Sequence, residues 1–165
     1  MWEVVKGWLG LGPQDPGPLP RVVLQPIGVV RSPVRQMRPY GWEGVEARIV
    51  LRPALAQALL GLEGFSHVYV LFYLHEVPSE LRGARLQIHP GGRQDLPLAG
   101  LFATRSQLRP NPLGLTVCPL LRVSHNVLWV RGLDAIDGTP VLDIKPYIPH
   151  YDAVPGAQVP PWVGG

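Results

Sequence analysis

The chain is poor in cysteine and lysine and has no long apolar run. Its single cysteine, Cys118, excludes an internal disulfide framework, and its setting in Leu115-Thr-Val-Cys-Pro-Leu-Leu121 reads as a small buried strand residue rather than a nucleophile. No stretch approaches the roughly 20 apolar residues that a membrane-spanning helix needs. Gly and Pro also break up the N-terminal segment before a signal-peptide core can form. A soluble, cytoplasmic protein with no membrane attachment is therefore expected. His67, His75, His89, His125 and His150 stand at no recognised ligand spacing, so no metal site is expected. Neither Gly-x-Gly-x-x-Gly after a strand nor Gly-x-x-x-x-Gly-Lys-Ser/Thr occurs, which leaves both common nucleotide-binding folds unannounced. No period of about 20 to 50 residues recurs, which excludes a repeat architecture.

What is present suits one domain with many short strands. The 165 residues are 46% hydrophobic, enough for a single core. The 19 Gly and 20 Pro are spread between apolar runs rather than gathered in a repeat. The 15 basic residues exceed the 12 acidic ones for a formal charge of +3, and 13 of the 15 are Arg. That balance fits a polyanionic partner such as RNA, and equally the ordinary use of Arg for Lys by a GC-rich genome.

Residues 1–20, with Trp2, Trp8 and a Gly/Pro-rich run, read as an extension that docks through its tryptophans. Val22 to Arg31 reads as a strand interrupted at Pro26, and Glu46 to Leu51 as a second strand. Pro53 opens a predicted helix of about two turns that Gly61 stops. Phe65 to His75 is the most apolar stretch and predicts a central strand, with His75 and Glu76 where it opens into a loop. Arg85 to His89 suits a short strand. Leu113 to Val123 and Val127 to Leu133 flank Ser-His-Asn as a hairpin. After Asp152 the tail, 153–165, reads as a frayed end. Eight or so strands with one short helix predict a mainly β fold, a small closed or nearly closed β-barrel over residues 21–152.

Two polar constellations stand out. Phe102 to Gly114 reads as two strands joined by a stiff corner, in which Pro110 and Pro112 fix two φ angles. Thr104, Arg105, Ser106, Arg109 and Asn111 crowd its tip, as an anionic ligand would need and as a solvated turn would also allow. Asp137-Gly-Thr-Pro140 is a turn signature. It leads into Asp143, Lys145 and Tyr147 at alternate positions, which share one strand face; the first two form either a structural pair or part of a site.

Four segments carry a resemblance in the same order: Pro26-Ile-Gly-Val-Val-Arg-Ser-Pro33, Leu62 to His75, Gly100 to Gly114, and Leu133 to Tyr147. They closely resemble the TrmO family, also called TsaA-like or YaeB-like, over about residues 24 to 152. The resemblance implies a β-barrel that binds S-adenosyl-L-methionine outside the Rossmann fold, as a homodimer. It also implies methyl transfer to N6 of N6-threonylcarbamoyladenosine at position 37, in the tRNA anticodon loop. Other readings of the same fold are methylation of another nucleoside or small molecule, and a barrel that binds RNA or the cofactor without catalysis. By motif, the cofactor contacts are Arg38, Pro39, Tyr40, His75, Glu76, Arg105, Leu115, Asp137, Gly138, Thr139 and Pro140. Arg105 is assigned to the carboxylate of the cofactor's amino-acid tail. Asp143, His75 and Tyr147 are the candidates to take or orient the acceptor's proton. Arg109, Asn111 and Lys145 are the candidates for RNA contact. Met37-Arg-Pro-Tyr40 departs from the family's usual Arg-Gln-Pro-Gly run. Bacterial relatives often carry a further C-terminal domain, so here the grip on tRNA is expected from the barrel or a second subunit.

Overall fold

The computed structural model describes residues 14–163. Trp2 and Trp8, expected to dock the extension, lie outside them. Among the described residues eight strands form in chain order: β1 (Gly28–Arg31), β2 (Glu46–Leu51), β3 (His67–Tyr73), β4 (Gln87–Ile88), β5 (Ala99–Gly100), β6 (Leu113–Ser124), β7 (Val127–Arg131) and β8 (Pro140–Pro146). Six of them close into an antiparallel barrel of order β1-β2-β7-β6-β3-β8, while β4 and β5 pair apart as a two-stranded satellite. The barrel thus fulfils the fold expected from the sequence.

Alternation builds its interior. Val68, Val70 and Phe72 of β3 point inward with Ile49, Cys118, Leu128, Val130 and Val141, all essentially without solvent exposure. The predicted central strand is central indeed, since β3 pairs with β6 along one edge and β8 along the other. Gly114 faces the Phe72 ring so closely that an added Cβ would stand 2.2 Å from its Cε2, so only glycine fits there. The β6–β7 hairpin forms as expected, with His125 at φ 54° in its turn.

Three expectations need correction. The first strand covers only Gly28–Arg31, and Val22 and Val23 are each 74% exposed. Pro26 offers no N–H, and the last ladder-like bonds on that side are made by and to Ile27. The helix after Arg52 is a 3-10 segment, Pro53–Leu59, with no side-chain cap and only Leu59 buried. Seven residues without a side-chain cap are too few to sustain an α-helix on their own; the short α-helix is instead α1 (Pro149–Asp152). Finally, the corner does not join two strands of one ladder. On its upstream side lie β5 and a 3-10 turn, Leu101–Ala103, whose Phe102 is 75% exposed, so the corner links satellite to barrel.

Candidate functional site

At one end of the barrel a half-open cleft of about 150 Å³ is built by four chain segments. The residues after β3 supply Leu74, His75, Glu76 and Val77. The Arg82 guanidinium fixes them by donating to Val77 O at 3.1 and 2.8 Å while lying 5.4 Å from the Tyr73 ring centroid. The corner supplies Gln107 and Leu108, the segment before β8 supplies Asp134, Ala135, Ile136 and Thr139, and Met37 comes from the loop after β1. The proline-braced corner and the acidic turn therefore do meet in one cavity.

The corner is stiff for a reason that composition alone left open. Thr104 Oγ1 donates to Leu101 O at 2.9 Å and accepts from Ser106 N at 3.3 Å, and Ser106 Oγ accepts from Leu108 N at 3.2 Å. These successive side-chain turns hold Gln107 and Leu108 toward the cleft. Arg109 Nη1 donates to Thr104 O at 2.7 Å, and its guanidinium lies 5.5 Å from the Phe102 ring. Arg109 is thus committed to the corner's own framework. Leu74 N donating to Pro112 O and Gly83 N donating to Leu108 O tie the corner to the segment after β3.

The acidic turn is closed by Thr139 N donating to Ile136 O at 3.2 Å and is also anchored across the chain. Asp137 Oδ1 accepts from Ser32 N at 3.1 Å, and Asp137 N donates to Val34 O at 2.8 Å. Gly138 follows at φ 83°, a left-handed conformation that favours glycine, and a Cβ there would stand 4.0 Å from His75 Nε2. Thr139 is buried against the cleft wall.

Of the residues expected to act, His75, Glu76 and Thr139 line this cleft, with Gly138 beside His75. Asp137 lines an adjoining polar groove, described below. Arg38, Pro39 and Tyr40 are exposed in a loop folded on itself. There, the Arg38 guanidinium donates to Gly41 O and lies 4.9 Å from the Trp42 ring, and Met37 is the residue that reaches the cleft. Arg105 and Asn111 are exposed at the corner. Leu115 sits on the outer barrel wall, 55% exposed.

Asp143, Lys145 and Tyr147 do share a strand face, but it is the outer one, and none of them lines the cleft. Lys145 Nζ meets Asp143 Oδ2 at 2.7 Å, and this hydrogen bond and charge hold the ammonium pKa above its ordinary value. The structural pair is the arrangement found. Tyr147 packs on Tyr69 and His67, with ring centroids 5.7 and 6.4 Å away. Burial, then the Asp152 carboxylate and Tyr147, push the Tyr69 hydroxyl pKa up.

One cleft carboxylate escaped the sequence reading. Asp134 accepts a hydrogen bond from Thr116 Oγ1 and lines the cleft beside the buried pair Ala135 and Ile136. Its field reaches into the barrel. Burial first, then Asp134, push the Cys118 thiol up to about 12, which bears out the inert reading of that cysteine. The only signal in the sequence is a carboxylate wedged between apolar Leu133 and Ala135, which does not say which way it points. Among the described residues no group of three or more His, Cys, Asp or Glu is gathered as metal ligands would be.

Residues 31–153 match the family model of the tRNA-methyltransferase O N-terminal domain. A probable S-adenosyl-L-methionine-binding protein of Methanothermobacter thermautotrophicus is 40% identical over 79% of this chain and 93% of its own length. The tRNA (adenine(37)-N6)-methyltransferase of Escherichia coli is 38% identical over 80% of this chain and 60% of that protein. A crystal structure of TrmO from Pseudomonas aeruginosa matches with TM-score 0.67 and 36% identity over 86% of this chain. The chain spans 62% of that solved chain.

Proposed function

The chain belongs to the tRNA-methyltransferase O family, and from that membership we propose that it uses S-adenosyl-L-methionine to methylate N6 of N6-threonylcarbamoyladenosine at position 37 of tRNA. The observation that carries this reading is the cleft in which the corner and the acidic turn meet, at the end of a barrel of that family.

The cleft's chemistry fits the cofactor. Leu74, Val77, Leu108 and Ile136 offer an apolar wall for an adenosine, and Glu76 and Asp134 bring two carboxylates to the same space for a cationic centre. When bound, S-adenosyl-L-methionine supplies a methyl group activated on a sulfonium cation. Arg105, exposed two residues before Gln107, is proposed to take the tail carboxylate. The loop of Arg38, Pro39 and Tyr40 is proposed to close over the cleft beside Met37. Asp137, Gly138 and Pro140 act by holding the turn that carries Thr139.

The acceptor nitrogen is amide-like and a poor nucleophile, so a group must take or orient its proton. His75 is preferred over Asp143 and Tyr147 because it lines the cleft, whereas those two stand on the outer wall. Holding the acceptor at attack distance in such a cleft contributes up to about 7–11 kcal/mol in ideal cases.

The active unit is proposed to be residues 21–152 assembled as a homodimer, with 1–20 an extension and 153–165 a tail. Support for the dimer comes from an apolar outer face across β3 and β6, where Leu113, Leu115 and Val117 are exposed beside Leu71. Leu115 reaches a cofactor only through a copy seated on that face.

Incubation with the cofactor and tRNA that carries threonylcarbamoyladenosine, followed by mass analysis of the nucleosides, tests the reading. A gain of one methyl on that nucleoside is expected. Methylation of unmodified adenosine or of another molecule instead would overturn the substrate, and absence of cofactor binding at millimolar concentration would overturn the activity.

A further inference from the structure

The outer wall also carries a cross-strand row of arginines. Arg31 of β1 stands opposite Arg48 of β2, Arg48 opposite Trp129 of β7, and Trp129 opposite Arg122 of β6. The inward direction is taken by their neighbours Val30, Ala47, Leu128 and Val130, all buried, so the whole row faces out. Three interstrand spacings of about 4.8 Å make it roughly 14 Å long. The Arg122 guanidinium lies 4.6 Å from the Trp129 ring.

Like charges directly opposite one another on a sheet destabilise it. Among the described residues no carboxylate lies within ion-pair distance of Arg31, Arg35, Arg48 or Arg122; the pairs present are Arg93–Asp95, Arg131–Glu46 and Lys145–Asp143. Arg31, Arg35, Arg48 and Trp129 line a polar groove of about 450 Å³ that also includes Glu46 and Asp137. The two carboxylates that line the same groove have other partners, Glu46 pairing with Arg131 at 2.8 Å and Asp137 accepting from Ser32 N at 3.1 Å. Two residues after Asp137, Thr139 lines the cleft, so one turn is the wall between groove and cleft.

Resting on the tRNA-methyltransferase reading, we propose that this groove seats the phosphate backbone of the RNA strand next to the nucleotide that enters the cleft. Guanidinium groups suit phosphate oxygens, and an aromatic ring in their midst offers a stacking surface for an unpaired base. Arg109 and Lys145, the cations that stand out in the sequence for this role, are bound to Thr104 O and Asp143. The grip on RNA therefore comes from β1, β2, β7 and β6.

The test is fluorescence anisotropy of an anticodon stem-loop RNA with the full chain across a salt series, comparing the wild type with R31Q/R48Q and with R93Q on the satellite side. With about 0.7 counterion released per phosphate contact, losing two contacts lowers affinity about 25-fold at 0.1 M salt and flattens the log–log salt slope by about 1.4. Cofactor binding by calorimetry should stay unchanged, and the thermal midpoint should be equal or higher because a like-charge pair is gone. Wild-type affinity and slope in R31Q/R48Q, an equal loss in R93Q, or a fallen midpoint accompanying the loss would each overturn the proposal. RNA binding that depends on the row but leads to no methyl transfer would uphold the groove and sink the enzymatic reading. Normal transfer by R31Q/R48Q at subsaturating RNA would do the reverse.

Discussion

Replacing Gly114 with Ala probes the packing on which the cleft rests. The new Cβ would lie 2.2 Å from Phe72 Cε2 and 2.3 Å from Cζ, so the ring must retreat by more than an ångström to restore ordinary contact. Phe72 is 1% exposed and stands opposite Val141 across the barrel wall, and an interior packed to crystal density has no vacancy to receive it. Overpacking of this kind costs about 1–3 kcal/mol, which for a chain of this size lowers the thermal midpoint by about 3–10 °C. Because Phe72 lies two residues before Leu74, cofactor affinity should fall as well. The decisive assay is a double-mutant cycle with Phe72→Leu, read by thermal and urea denaturation. Removing the ring should recover at least about 1 kcal/mol of the Gly114→Ala loss. A variant that melts within a degree of the wild type, or a strictly additive cycle, would refute the reasoning.

Three further outcomes are expected. Asp134→Asn, which keeps the acceptor for Thr116, should weaken S-adenosyl-L-methionine binding about fivefold, as about 1 kcal/mol of attraction at 4 Å in water implies, yet leave S-adenosylhomocysteine, which lacks the sulfonium charge, unaffected by calorimetry. Cys118 has a folded pKa of about 12 against an ordinary 9.0, so the folded state holds the thiol proton where the unfolded chain has lost it. Its stabilising contribution relative to Cys118→Ala is full below pH 9 and should fall by about 1.4 kcal/mol per pH unit from there toward 12 in denaturation experiments. Light scattering should find the wild type in the proposed dimer and Leu115→Glu, on the apolar outer face, as a monomer; a dimer that persists would remove that face as the interface, and a monomeric wild type would remove the dimer.

Much of the architecture was legible because it rests on local pattern. The apolar, aromatic and β-branched run from Phe65 to His75, the Ser-His-Asn hairpin turn and the spread of Gly and Pro specify short strands wherever they occur. What the sequence could not rank were groups whose value depends on direction. Asp143 and Asp134 are both carboxylates beside apolar residues, and only β8's register sends the first to the outer wall while the turn before it sends the second into the cleft. Arg109 looked available from its neighbours, but the corner's own carbonyl holds it.

From the sequence alone followed a mainly β barrel, a proline-stiffened corner, an acidic turn and an inert cysteine, because period, turn chemistry and φ restriction act over a few residues. Barrel closure decided which of those meet. Setting β1 beside both β2 and β8 brings Ser32 to Asp137, and pairing β2 with β7 lines Arg31 and Arg48 up with Trp129 and Arg122 of a hairpin some eighty residues further along. Pairing register is a long-range property, and no stretch of chain contains it.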